Sequence, residues 1–372
     1  MITTIYDISG RQEAFPAEIR NMSQFQLSHG VDAHAERVLG QNWSLYCLDI
    51  AEQKALFVEL PEHCDLARVP FVYAEQFNQA QRAAVISFDV LTELADKVQY
   101  SGNIAMLMST GRCGSTLASR IFANIPGVWS ISEPDWLTNL ALARFELGQE
   151  QTKQLIHACT KLTCRPFDAT TVKTIVIKPR SEMLIQAQAY IAALPEVHSV
   201  FLYRDCFGYV NSLYKFAQRL TGEKDPKPGS QNWETFREIA TINAPRSILD
   251  TYFLPNEDIQ LLDLMVLSWT LRMTAYINAS DGGMTVIPLH YDDLTAQRQP
   301  STKLLLESCG IDTEYVELAL HAFTKDAHTG SAGENSVAAA PISAQQKIRI
   351  EELVKRWGIS DFVNDRLAMT NR

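Results

Sequence analysis

The chain has 372 residues, of which 46% are hydrophobic and 20% charged. That length fits about two domains or one large sheet, and that composition excludes collagen-like, disordered and coiled-coil classes. With 33 Lys plus Arg against 43 Asp plus Glu, the net charge of −10 has the wrong sign for a general nucleic-acid binder, so a polyanion site would have to be a local patch.

No membrane partner is expected either. The most apolar stretch, residues 259–279, carries Asp263 and Arg272, falls short of about 18 uncharged apolar residues, and reads as a buried helix. The opening MITTIYDISGRQEAF has no basic region followed by an apolar block, and the seven cysteines do not cluster as metal ligands. Free thiols in a reducing compartment, the cytoplasm, are the expectation.

In chain order, WSLYCLDI and KALFVEL flank AEQ as a β-hairpin, and FVYAEQFNQAQRAAV reads as a short strand leading into a helix. Residues 1–98 are therefore read as a small α+β appendage, and 99–372 as the main domain. From residue 103, short apolar strands alternate with amphipathic helices, which predicts an α/β fold in three layers, a parallel sheet with helices on both faces. The strand candidates are NIAMLMS (103–109), VWSIS, TIVIK (174–178), SVFLYR (199–204) and MTVIPLH (284–290). Helices are expected over STLASRIFANI, EMLIQAQAYIAAL, CFGYVNSLYKFAQRL and a long run through LDLMVLSWTLRMTAYIN, with two more near the C-terminus. Residues 221–231, TGEKDPKPGSQ, read as an exposed loop that can cover a small acceptor, and 327–343 as a second loop of small residues.

The strongest local signal is Ser109-Thr110-Gly111-Arg112-Cys113-Gly114-Ser115-Thr116, between an apolar strand and a helix. Glycines there let backbone N–H groups turn inward, and a helix N-terminus adds partial positive charge, so the loop can hold a phosphate-like anion. A nucleoside-triphosphate loop would place Lys directly after its last Gly, whereas here Ser115 follows Gly114 and the one cation, Arg112, precedes it. The loop suits an anion bound without metal. The alternative is a strand-to-helix turn that uses Gly for geometry alone.

SVFLYRDCFGYVNSLYKF puts Arg204 at the end of a buried strand and Ser212 about two turns into the next helix. In a doubly wound sheet, ligands bind beyond the carboxyl ends of the strands, so Arg204 and Ser212 can reach the same crevice as the loop. Two anion sites in one crevice point to a nucleotide with two separate phosphate groups. Taken alone, Arg204 could instead pair with Asp205.

Together these residues resemble the sulfotransferases that use PAPS, 3′-phosphoadenosine 5′-phosphosulfate. Arg112-Cys113-Gly114-Ser115-Thr116 is similar to the family's 5′-phosphosulfate loop, and Arg204 with Ser212 to its 3′-phosphate element. VIPLHYDDLTAQRQPSTKLLLESCGID resembles a third block, in which Tyr291 would lie near the adenine. The resemblance covers residues 103 to about 311; the family's late Arg-Lys-Gly element has no clear copy in this sequence, and DAHTGSAGENSV (326–337) is the candidate substitute. The resemblance implies PAPS as co-substrate with PAP as product, no metal, cofactor contacts from Thr110, Gly111, Arg112, Cys113, Gly114, Ser115, Thr116, Arg204, Ser212 and Tyr291, and a small-molecule acceptor bearing a hydroxyl or amine.

Sulfuryl transfer needs an in-line nucleophile, a base for its proton, and cations to stabilise the developing charge. Arg112 is the first cation. Lys178, at the end of TIVIK, is the second, matching a strand-end Lys of the family; the bland alternative is an ion pair with Glu182. In some branches of the family a Glu just after the second strand is the base, and Glu133 of Ser132-Glu133-Pro134-Asp135 stands there, whereas a His used in other branches is replaced by Arg180. Asp135 is the competing carboxylate, or else caps the helix that follows. His290 and His198 read as hydrogen-bonded strand residues. A P-loop kinase and a PAP-binding protein without transferase activity are the rival readings.

Overall fold

A computed structural model describes residues 1–12, 18–100, 102–165, 172–221, 223, 226–324 and 342–359. Residues 326–337, and three positions of the 221–231 loop, lie outside the described residues.

Among the described residues, ten strands form two sheets. The first is antiparallel, in the order β2-β1-β5-β4-β3, from β1 (Ile2–Arg11), β2 (Phe25–His34), β3 (Trp43–Asp49), β4 (Lys54–Glu59) and β5 (Arg82–Ser87). The second is parallel throughout, in the order β10-β9-β6-β8-β7, from β6 (Asn103–Ser109), β7 (Val128–Ser132), β8 (Thr174–Lys178), β9 (His198–Tyr203) and β10 (Ile287–His290). The helices are α1 (Val72–Gln79), α2 (Phe88–Asp96), α3 (Ser115–Ala123), α4 (Asp135–Leu142), α5 (Gln149–Thr163), α6 (Ala187–Ala193) and α7 (Cys206–Thr221). They continue with α8 (Gln231–Thr241), α9 (Leu249–Tyr252), α10 (Leu261–Asp281), α11 (Tyr291–Ala296), α12 (Arg298–Ser308), α13 (Val316–Leu320) and α14 (Ala344–Arg356).

The predicted hairpin is β3–β4, with Asp49 opposite Lys54. The segment after it runs in the reverse of the expected order: α1 comes first and the strand second. Phe71 is extended after Pro70 and starts the helix, while the Ala-rich Arg82–Ser87 is drawn into strand by pairing on both edges, with β1 and β4. EMLIQAQAYIAAL is likewise divided, into a 3-10 turn at Ser181–Gln186 and α6.

The parallel sheet is covered on both faces, as its continuous apolar strands require. Alternation along β6 divides its side chains between two apolar clusters. Ala105 and Leu107 pack with Leu117, Ile121 and Phe122 of α3 and Leu305 of α12. Met106 and Met108 join a larger cluster that holds α10 and reaches Trp43, Leu48 and Phe57 of the antiparallel sheet through Leu140, Leu155 and Ile156 of α4 and α5. The two sheets therefore share one apolar core. From β6 the chain builds β7 and β8 on one side, then returns to place β9 and β10 on the other, so the carboxyl end of β6 stands at the switch point where such sheets bind ligands.

Candidate functional site

The loop after β6 is shaped by left-handed backbone at Gly111 (φ +80°), Arg112 (φ +54°) and Gly114 (φ +79°). A Cβ on Gly114 would lie 2.9 Å from the Tyr291 ring, so this approach admits glycine alone. α3 starts directly after Gly114, and its first N–H groups have no carbonyl within the helix to accept them. Thr110 and Cys113 are turned into the fold: the Thr110 N–H and the Cys113 thiol both donate to the Leu202 carbonyl, and burial pushes that thiol up. These two residues can meet a ligand through backbone only.

On one side of the loop stands the end of β9. Arg112 Nε donates to Ser212 Oγ of α7 at 3.0 Å, and its guanidinium lies over Phe216. Arg204 lies 4.5 Å over the Tyr291 ring. Its Nε is buried, stands 3.8 Å from Asp205 Oδ2, and makes no hydrogen bond. Arg112, Gly114, Arg204, Ser212 and Tyr291 are thus brought together from four elements, and the pairing of Arg204 with Asp205 is too long to be a hydrogen bond.

On the other side stand β8 and β7. Their register sets Ser132 opposite Lys178, and the next amide, Glu133 N–H, donates to the Lys178 carbonyl at 2.6 Å while Glu133 takes φ +58°. Lys178 Nζ, 1% exposed, reaches Glu133 Oε1 at 2.6 Å and Ser132 Oγ at 3.1 Å. The alternative ion pair of Lys178 with Glu182 is not formed: Glu182 accepts instead from Arg272 Nη2 at 2.9 Å. Asp135 does not cap α4 with its side chain. It is fully buried and accepts from Arg180 at 2.6 and 2.9 Å and from the Arg20 N–H. Burial pushes the Asp135 carboxyl up, against the pull of Arg180; burial also opposes the charge of Arg180, but Asp135 overrides it and raises that group.

The two sides meet beneath the loop. Ser181, three residues beyond Lys178, has its Oγ 3.1 Å from the place of a Gly111 Cβ, and that Oγ accepts from Arg272 Nε at 3.0 Å. Arg272 also holds Ser268, whose hydroxyl meets the Tyr209 hydroxyl at 2.9 Å. Sequence reasoning missed this support. The signal was present, since a lone arginine in the most apolar stretch of the chain must find buried partners. His290 accepts from the Asp292 N–H and packs against Tyr203, a strand-end role with no reach to the loop shown.

Among the described residues no three His, Cys, Asp or Glu converge as a metal site, and no helix is long and apolar enough to cross a membrane. No protein-family model and no curated protein matches the sequence. Among solved structures the chain is similar to a sulfotransferase from Alicyclobacillus acidocaldarius, at 12% identity over 74% of this chain and 100% of that one, with a TM-score of 0.41. It is also similar to a mouse sulfotransferase complexed with PAP, at 12% identity over 73% and 90% with a TM-score of 0.40. A third is the sulfotransferase domain from the curacin biosynthetic pathway, at 13% identity over 73% and 95% with a TM-score of 0.37.

Proposed function

We propose that the chain is a sulfotransferase that moves the sulfuryl group of PAPS to a hydroxyl or amine of a small acceptor by in-line transfer and releases PAP. One observation carries this reading. A single sheet edge presents a left-handed glycine loop in its centre, an arginine with an unsatisfied buried Nε on one side, and a lysine–carboxylate pair on the other.

In this reading the backbone of Gly111 to Thr116 and the Arg112 side chain hold the phosphosulfate end. Arg204 and Ser212 take the 3′-phosphate, whose oxygens would supply the partner that Arg204 Nε lacks, and Tyr291 lies against the adenine. The acceptor oxygen forms its bond to sulfur as the bond from sulfur to the phosphate oxygen breaks; the acceptor proton goes to Glu133, and Lys178 stabilises charge on the departing oxygen. Lys178 Nζ and Glu133 Oε1 stand 2.6 Å apart, which sets the groups of these two roles side by side.

Thermal unfolding with PAP, AMP and magnesium-ATP at matched concentration tests the reading. A ligand at 100 times its Kd adds about 2.7 kcal/mol, a rise of a few degrees. A rise with PAP and none with AMP is expected. A rise with magnesium-ATP alone would replace this reading with a kinase, and no rise with any ligand would overturn it.

A further inference from the structure

We propose that a cleft between the antiparallel-sheet unit and the C-terminal end of α4 is a second small-molecule site, and that it takes an organic amine with an aromatic body. The cleft holds about 480 Å³, a volume within the range of ligand sites. Three stretches wall it: Asn21 and Met22 before β2, the β3–β4 turn through Asp49 and Ala51, and α4 with the turn after it, through Leu142 and Phe145. No residue assigned to the nucleotide or to transfer lines it, so the site stands apart from the sulfotransferase reading.

The walls are fixed by bonds of their own. Asn139, which also lines the cleft, accepts from the Leu48 N–H at 2.9 Å and donates to the Arg20 carbonyl at 3.1 Å, tying α4 to the sheet unit. Arg144 donates to the carbonyls of Ala141, Thr241 and Ile242, tying the same helix to the end of α8. There Ile242 and Asn243 take left-handed backbone in succession, at φ +53° and +52°, a strain that persists only where the surroundings hold it and that gathers at ligand clamps. The Arg144 guanidinium lies 4.3 Å over the Phe145 ring, so a large aromatic side chain that is 67% exposed is held still beside the cleft. A molecule entering such walls loses little affinity to ordering them.

The lining also selects by charge. Asp49 and Glu146 both line the cleft and form no ion pair among the described residues, and no basic side chain joins them there. Lys54, opposite Asp49 in the hairpin, reaches Glu52 instead. The other polar side chains of the lining are the uncharged amides of Asn21, Asn139 and Asn243, and the rest is apolar. Two negative charges with no positive one repel an anion and attract an ammonium, while Phe145 and Leu142 meet its body.

The test titrates the full chain, without PAPS, with three molecules of one shape and different charge: tryptamine, tryptophol and indole-3-propionate, followed by calorimetry. Tryptamine should bind at least about fivefold more tightly than tryptophol, and indole-3-propionate more weakly than either. Asp49→Asn combined with Glu146→Gln should erase the preference for tryptamine over tryptophol. Ala51→Trp, made at an exposed position, fills the cleft and should abolish tryptamine binding. Equal affinity of wild type for tryptamine and tryptophol, a preference that survives the double variant, tryptamine binding that survives Ala51→Trp, or no tryptamine binding at millimolar concentration would overturn the proposal. A wild-type dimer that Phe145→Ser turns into a monomer in sedimentation would give the cleft to a second copy of the chain and overturn it as well. Failure of PAP to bind would overturn the sulfotransferase reading alone, since none of these titrations contains the nucleotide.

Discussion

Glu133 takes a left-handed backbone that a long side chain seldom adopts, held there by its own N–H on the Lys178 carbonyl and by its carboxylate on the Lys178 ammonium. Glu133→Gln keeps the shape and removes the proposed base, so turnover with an identified acceptor should fall by at least about a hundredfold while the Kd for PAP stays within about twofold. Retention of most of the activity would return the role to Asp135. Gly114→Ala faces both φ +79° and a Cβ 2.9 Å from Tyr291. It should cost about 1–2 kcal/mol in urea unfolding and weaken PAP binding as well. An unaltered PAP affinity in that variant would separate the loop from the nucleotide. At this scale Arg112, Lys178 and Arg204 could be placed at a glycine turn and at strand ends, which are local patterns, whereas Glu133 was singled out by the family resemblance. The sequence did not show that Arg180 is bonded to Asp135 or Arg272 to Ser181, because each partner comes from a distant segment and only packing brings the two together.

Helix α14 is fastened to α10 and to the turn before it by charges: Arg349 reaches Asp263 at 2.7 Å and Arg356 reaches Glu257 at 2.7 Å. Burial would raise the Glu257 carboxyl, but the Leu254 N–H and Arg356 outweigh it and hold that group below its ordinary 4.5. A carboxyl lowered on folding stabilises the protein above its unfolded value, and that contribution is lost as pH falls through the folded one. Glu257→Gln should therefore be less stable than wild type by about 1 kcal/mol at pH 7, with the gap in unfolding midpoint closing as pH falls below about 4.5. A gap that persists under acid would mean that the pair does not fasten the helix. Elements were legible in proportion to their continuity. The five apolar runs of the parallel sheet were recognisable one by one, since burial on both faces leaves few polar positions within them, such as Ser130, whose hydroxyl is paired with that of Ser119. The order of α1 and β5 was not, because Ala83 and Ala84 have little intrinsic strand preference and take that form from their neighbours.

For the molecule as a whole, the apolar cluster that joins Trp43 and Leu48 to Leu155 and Ile156 means that residues 99–372 expressed alone would expose apolar surface on α4 and α5. Such a fragment should bind a hydrophobic dye strongly and associate in sedimentation; a monodisperse fragment with native unfolding behaviour would show that the antiparallel sheet is dispensable for folding. The order of strands has a consequence in time. Ala105 of the central strand pairs with His198, and β9 in turn pairs with β10 through His290, so the cradle's neighbours arrive late in synthesis. A chain halted before residue 198 owns the glycine loop but neither Arg204 nor Tyr291. Closing such long loops is slow, and the proposed nucleotide crevice comes into being only with the last strands of the sheet. A ligand in that crevice therefore clasps the first-made and last-made strands together, and PAP should slow amide exchange along the whole of β6 and β9 rather than in the loop alone.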